Sequence, residues 1–218
     1  MAVEVARATS ERGELVLRRR DDDALELRVN GVFVMDTAQT STERALAAAA
    51  LRLPDPARVL VGGLGLGFTT AELLADPRVQ EVTVAELEPV VLRWMVDGTV
   101  PHGPGILADS RVHVLVADVR QVVESQPHAS LDAILLDVDN GPDFLVLGAN
   151  ATLYEEDFLR TCLERLRAGG ALLIWSSTRS DALQHALTTA AGTWTVDVHD
   201  VDLGGRAETY SVYSARRL

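Results

Sequence analysis

Four stretches of the chain carry residue types that could do chemistry together. Gly62-Gly63-Leu64-Gly65-Leu66-Gly67 follows a short apolar run and precedes a helix-like segment. Glycines there let the backbone turn sharply and approach a ligand closely, with a helix N-terminus behind them. Glu86 lies 21 residues beyond Gly65, the spacing at which nucleoside-binding sheets place the acid that accepts a ribose hydroxyl. Asp118 ends VHVLVAD, where a carboxylate can accept from an adenine amino group, and Asp137 ends AILLD. Taken singly these signals are weak, because a glycine turn can serve packing and a strand-end Asp can cap a helix. Their conjunction points to a nucleoside-type ligand.

Such residues meet only if the elements between them form a sheet with one common edge. ARVLVGG, EVTVAEL, RVHVLVAD, LDAILLDVD and ALLIWSS read as strands, the first a continuous apolar run expected of a strand buried on both faces. FTTAELLAD, EPVVLRWMVDG, VRQVVESQ, LYEEDFLRTCLERLRAGG and SDALQHALTTAAG read as the intervening helices, the fourth ending in a Gly169-Gly170 C-cap signature. TWTVDVHDV and ETYSVYSARR form a closing antiparallel pair. This alternation predicts an α/β fold with a doubly wound, mostly parallel sheet, whose ligands bind at the C-terminal strand ends. The first fifty residues differ. GELVLRRR, ALELRVN and GVFVMDT are short alternating segments, and Asn30-Gly31 signals a two-residue hairpin. STERALAAAALRL follows as a helix capped by Ser41 or Thr42 and stopped by Leu53-Pro54-Asp55-Pro56. The expected division is 1–52, a small N-terminal β unit with its linking helix, and 53–218, the catalytic domain.

Composition narrows the chemistry. The 218 residues carry 20 basic against 32 acidic side chains, a net charge of −12. An acidic chain disfavours nucleic acid. Every basic residue is Arg, so Schiff-base chemistry and a P-loop lysine are excluded. The single cysteine, Cys162, permits no intrachain disulfide, and the five histidines show no metal-ligand spacing. No signal peptide or membrane span is expected, which fits a cytoplasmic protein without metal or membrane partner. The glycines run G-x-G-x-G at 63, 65 and 67 rather than G-x-G-x-x-G. With carboxylates on three strands, this leans toward a nucleoside ligand without a pyrophosphate, and a negative surface attracts a sulfonium cation.

VLVGGLGLG, VTVAELEP, VHVLVADVR, AILLDVDNGP and LYEEDFLRTCLERLRAGGALLIW run in the order and spacing of the spermidine synthase (polyamine aminopropyltransferase) family. The chain resembles that family from about residue 25 to 178, and LRVNGVFVMDT is similar to its N-terminal β-hairpin unit. The resemblance implies a Rossmann-like, S-adenosylmethionine-dependent methyltransferase fold, often dimeric, and hence a homodimer. It implies a transferase moving an aminopropyl or other alkyl group to a small-molecule amine. The co-substrate would be S-adenosylmethionine or its decarboxylated form, cradled by Gly62, Gly63, Gly65 and Gly67. Glu86 matches the ribose-binding acid, Asp118 the adenine-binding acid, and Asp137 the proposed base of the D-x-x-D-P motif.

The departures concern the acceptor. The family carries Asp where this chain has Gly65, Asp where it has Asn140, and a tyrosine–histidine pair around the helix start that has no counterpart here, where the chain reads Gln39-Thr40-Ser41-Thr42-Glu43. Loss of the Asp at 65 removes a charge that disfavours the carboxylate of intact S-adenosylmethionine, so a methyltransferase is the alternative, and a catalytically degenerate nucleoside-binding scaffold a third. Gln39, Asp139, Asn140 and Tyr154 are candidate substrate-binding residues. Asp139 and Asn140 equally suit capping the turn before Gly141-Pro142, Tyr154 suits packing at a helix start, and 141–152 is either a lid or a plain connection.

Overall fold

A computed structural model describes residues 2–203 and 205–218. The chain builds two sheets. The small one is an antiparallel meander of β1 (Val3–Ser10), β2 (Gly13–Arg19), β3 (Leu25–Val29) and β4 (Val32–Asp36). Asn30 and Gly31 both take positive φ, 51° and 78°, so the β3–β4 hairpin closes on the expected two residues. Strand β1 was not legible beforehand: VEVARATS is an edge strand facing mostly solvent, and its apolar alternation is faint.

The chain then enters α1 (Ser41–Leu51). Its N-cap is Thr40 rather than Ser41 or Thr42, and no side chain caps it. Asp36 Oδ1 instead accepts the Ala38 and Gln39 amides, 2.9 and 2.7 Å away, and so shapes the approach to the helix. Next come β5 (Arg58–Gly62), α2 (Phe68–Leu74), β6 (Glu81–Glu86), α3 (Pro89–Val96), the short α4 (Gly103–Leu107), β7 (Val112–Val116), α5 (Val119–Ser125) and β8 (Leu131–Leu136). A 3-10 segment over Gly148–Tyr154 leads into α6 (Glu156–Arg165), β9 (Leu166–Ser176), α7 (Asp181–Ala191), β10 (Trp194–Asp202) and β11 (Ala207–Arg216).

Gly169-Gly170 does not end a helix. Helix α6 stops at Arg165 and the chain passes directly into β9, where the pairing with β8 jumps from Leu131↔Leu166 to Ala133↔Ala171. The two glycines sit in that bulge, Gly169 at φ +79°. An added Cβ on Gly170 would meet the Asp132 carbonyl at 2.9 Å.

The large sheet runs β10-β11-β9-β8-β5-β6-β7. Its five central and outer strands β9, β8, β5, β6 and β7 are parallel, and β11 is antiparallel to both neighbours. The chain winds outward from β5 to β7 and then returns to place β8 on the other side of β5. The strand order therefore reverses between β5 and β8, the place where open α/β sheets bind ligands.

Alternate side chains of the central strands divide the core into two layers. Val59, Val61, Ala133, Leu135 and Leu173 face α1, α2, α3 and the small sheet's Leu15, Leu17, Leu25 and Leu27. Leu60, Ile134, Leu136, Leu172 and Ile174 face α5, α6 and α7. Leu135, fully buried between Val61 and Leu173, is at the centre of the first layer. Leu135→Ala should lower unfolding stability by about 2–5 kcal/mol, read as a reduced urea midpoint with an unchanged slope. A smaller loss would mean the layer collapses into the void.

Candidate active site

At the β5–β8 junction the turn after β5 takes positive φ at Gly63 (94°), Gly65 (49°) and Gly67 (86°). Each glycine is required for a different reason. A Cβ on Gly63 would come within 2.2 Å of the Asp137 carbonyl, so that residue allows β5 and β8 to end side by side. One on Gly65 would meet Met35 Sδ at 2.6 Å, and one on Gly67 would meet Met95 and Ile106. Gly62 stays in the strand against Val119 and Val138.

A cleft of about 830 Å³, open mouth included, lies over this junction. Gly63, Gly65, Glu86, Asp118, Asp137 and Asp139 all line it. The small sheet supplies its apolar wall through Leu15, Leu27, Val29 and Val34. Three strand ends thus bring their acids to one hollow, as the sheet geometry requires.

Each acid is held differently. Glu86 is buried; Oε2 accepts the Leu64 amide at 2.9 Å and Oε1 the Glu88 amide at 2.7 Å. Burial raises its carboxyl above the usual range, against the pull of these amides and that of Gly65. Asp118 caps α5, accepting the Arg120 amide at 2.9 Å and pairing with the Arg120 guanidinium at 2.7 Å. Partial burial pushes it up, but the bonds from Arg120 outweigh that and hold it below the ordinary value. Arg120 in turn reaches Thr152 and the Ala149 carbonyl in the 3-10 segment.

Asp137 accepts the Thr69 hydroxyl at 2.5 Å, and burial pushes its carboxyl up to about 6. Behind it stands Glu43, an acid the sequence reading gave no role. Its carboxyl is pushed up to about 7, first by burial and then by the charge of Asp137. Thr42 donates its hydroxyl to Glu43 at 3.1 Å, while Thr69 also faces the Glu43 carbonyl at 3.4 Å. A sequence signal was there: Glu43, Leu46, Ala47 and Ala50 share the buried face of α1, an acid on an apolar stripe. Tyr210 lies close enough to Glu43 for burial and that charge to raise its hydroxyl, and its ring meets Trp175 edge-on at 5.0 Å.

The remaining candidates organise the surroundings. Asp139 lines the cleft at φ +56° and accepts Asn150 Nδ2 at 2.7 Å, so it also shapes the 141–152 connection. Burial raises its carboxyl. Asn140 lies outside the cleft lining; its Nδ2 donates to the Phe33 carbonyl at 3.0 Å and its carbonyl accepts the Ser177 amide at 3.1 Å. Tyr154 is buried and donates to the Val138 carbonyl at 2.6 Å. Gln39 lines a separate hollow with Arg20, Asp36 and Arg206, and its Oε1 accepts the Ser41 amide. The structure does not bring Gln39, Asn140 or Tyr154 to the cleft. Among the described residues no group of three or more His, Cys, Asp or Glu is placed to hold a metal ion, and no helix is long and apolar enough to cross a membrane.

The strand order, the glycine turn and the strand-end acids define a Rossmann-like protein of the S-adenosylmethionine-dependent methyltransferase fold. No family model matches the chain. It is 32% identical over 166 residues to the polyamine aminopropyltransferase of Mycobacterium tuberculosis, which covers 74% of this chain and 30% of that protein. It is 29% identical over 123 residues to putrescine N-methyltransferase 1 of Nicotiana tabacum, 55% of this chain and 30% of that one. The chain thus spans about a third of the length of these curated relatives. Spermidine synthase from Thermotoga maritima superposes with a TM-score of 0.84 at 16% identity, covering 99% of this chain and 73% of that one. A spermidine synthase in complex with the transition-state analogue AdoDATO gives 0.85, also at 16% identity, over 99% and 74%. The chain is spermidine synthase-like.

The raised Asp137 carboxyl has a consequence for stability. Its folded value, about 6, lies above the ~3.9 of an unfolded aspartate. The native state therefore holds this proton more tightly, and the associated stability is full below pH ~4 and lost as pH rises through 6. Asp137→Asn should be more stable than the parent at pH 8, by on the order of 1–3 kcal/mol, and equal to it near pH 4. Urea titrations at both values test this, and a gap that does not change with pH contradicts it.

Proposed function

We propose that this protein transfers an aminopropyl or other alkyl group from an S-adenosyl sulfonium donor to a small-molecule amine. One observation carries the reading: Glu86, Asp118 and Asp137, from three successive strands, line one cleft together with Gly63 and Gly65. In this reading Glu86 accepts from a ribose and Asp118 from an adenine amino group. The Leu64 amide, the first after the glycine pair, is taken by Glu86, which leaves a poor cradle for a pyrophosphate and suits a donor without an anionic linkage.

The reaction is an in-line displacement. The amine lone pair attacks the carbon beside sulfur, the C–N bond forms, and the C–S electrons return to sulfur as a neutral thioether. Positioning supplies most of the acceleration. A free alkylamine titrates near ~10 and is mostly protonated at neutral pH, so a nearby carboxylate that takes its proton contributes directly. With a carboxyl near 6, Asp137 is ionised in neutral solution yet basic enough for that task. Glu43, with its carboxyl near 7, adds negative potential behind it, which favours an approaching cation.

A methyl rather than an aminopropyl transfer is the second reading. It is favoured by the end of the cleft at Gly65, where the Met35 thioether, bonded to the Leu66 amide at 3.2 Å, stands in place of any carboxylate on the turn. Titration calorimetry with S-adenosylmethionine, its decarboxylated form and 5′-methylthioadenosine separates the cases. Binding of a sulfonium donor is expected, and Asp137→Asn should keep that binding while losing about 10²–10⁴-fold in turnover. Tighter binding of the intact form favours methyl transfer and tighter binding of the decarboxylated form favours aminopropyl transfer. A folded protein that binds none of the three is not a transferase of this kind.

A further inference from the structure

Glu88 stands two residues beyond Glu86, takes the N-cap position of α3 without a capping bond from its side chain, and lines the same cleft. Its side chain is nine-tenths buried, and its two oxygens have unlike surroundings. Oε1 accepts Arg12 Nε at 2.8 Å and the Ser10 hydroxyl at 3.0 Å, both from the β1–β2 turn. Arg12 also donates to the Leu87 carbonyl at 2.7 Å, and Asn30 Nδ2 holds the Arg12 carbonyl at 3.1 Å. The carboxylate is thereby fixed in orientation. Oε2 is buried and, among the described residues, has no hydrogen-bond partner. A buried polar oxygen without a partner is uncommon and calls for a missing donor.

We propose that Oε2 of Glu88 accepts a hydroxyl of the donor's ribose, making a two-carboxylate diol site with Glu86. The inference rests on the transferase reading above and adds a residue to its donor site. Both Glu86 oxygens already accept backbone amides, so Glu86 alone meets a cis-diol with acceptors that are partly used. Glu88 offers one that is wholly free. Paired carboxylates also repel a phosphate at this position, which selects nucleosides over nucleotides. Arg12 and Ser10 are then positioning residues: the small sheet sets the acceptor that the large sheet's ligand meets.

The test is calorimetry on the full chain with 5′-methylthioadenosine and its 2′-deoxy and 3′-deoxy counterparts. In the parent protein at least one deoxy ligand should bind on the order of tenfold more weakly. In Glu88→Gln, which turns an acceptor toward the hydroxyl into a donor or a neutral oxygen, that ratio should fall to about twofold or less. Arg12→Gln, which releases the carboxylate, should narrow the same ratio, and it serves if Glu88→Gln fails to fold. An unchanged ratio in a folded variant, or equal weakening of all three ligands, overturns the assignment of Glu88 and leaves the transferase reading standing. So does a parent protein indifferent to both deoxygenations. Failure of folded parent protein to bind 5′-methylthioadenosine or either sulfonium overturns both.

Discussion

The carboxylate of Glu86, buried against the backbone amides of the turn after β5, is the interaction around which this end of the molecule is arranged. An ionised carboxylate removed from water is costly unless its lone pairs are met. Here Leu64 and Glu88 meet them, at 2.9 and 2.7 Å. The turn can present the Leu64 amide inward only because Gly63 and Gly65 adopt positive φ. The same bend lets β5 and β8 finish with Gly63 against the Asp137 carbonyl. Glycine loop, acid and strand crossing are thus one mechanical unit. The direction of the amides matters chemically: in dinucleotide sites such N–H groups face a pyrophosphate, whereas here at least one is taken by the protein's own anion.

That unit sits in a field that is negative throughout yet graded. Asp118, bonded to Arg120, is held below the ordinary value. Glu86, Asp137 and Glu43 are raised, chiefly by burial. The two ends therefore differ in kind. At Asp118 a compensated anion offers hydrogen bonds without demanding charge. At Asp137 and Glu43 two neighbouring acids have, among the described residues, no ion-pair partner, and a positive ligand relieves their repulsion. A positively charged ligand fits this gradient; a phosphate does not. The thioether of Met35 beside Gly65 keeps the intervening surface free of further charge.

Much of the architecture was legible in the sequence because its signals are local. Five strand–helix alternations, Asn30-Gly31 and the apolar strands that bury both faces each follow from period and turn chemistry. So did the convergence of Glu86, Asp118 and Asp137, since parallel strands must end on one edge. What failed depends on tertiary context. Gly169-Gly170 suits a helix end by propensity, but the twist of β8 against β9 places it in a bulge. Strand β1 is held by pairing with β2 rather than by its own apolar pattern. Glu43 and Glu88 carry no assignable role in the sequence for another reason. Glu43 shares a stripe with apolar residues and Glu88 stands at a strand end before Pro89, and neither pattern by itself shows which element buries the acid.

Those two acids show how the small sheet bears on the chemistry of the large one. Its leucines join the layer beneath β5 and β8, and four further contacts tie it to the cleft and the loops beside it. Arg12 and Ser10 orient Glu88, Met35 meets the glycine turn, and the Phe33 carbonyl holds Asn140. Each contact joins a residue within the first 35 to one beyond 60, so loss of the meander would remove a wall of the cleft and the ties that fix its acids. Helix α1, adjoining that meander in sequence, packs on α2, β8 and β9 and carries Glu43 to Asp137. The lining of the cleft is therefore drawn from both sides of the Pro54-Asp55-Pro56 break. A small antiparallel sheet preceding a nucleoside-type fold is then best understood as the element that closes and polarises the site, because the parallel sheet alone supplies acids along one edge but no roof to desolvate them.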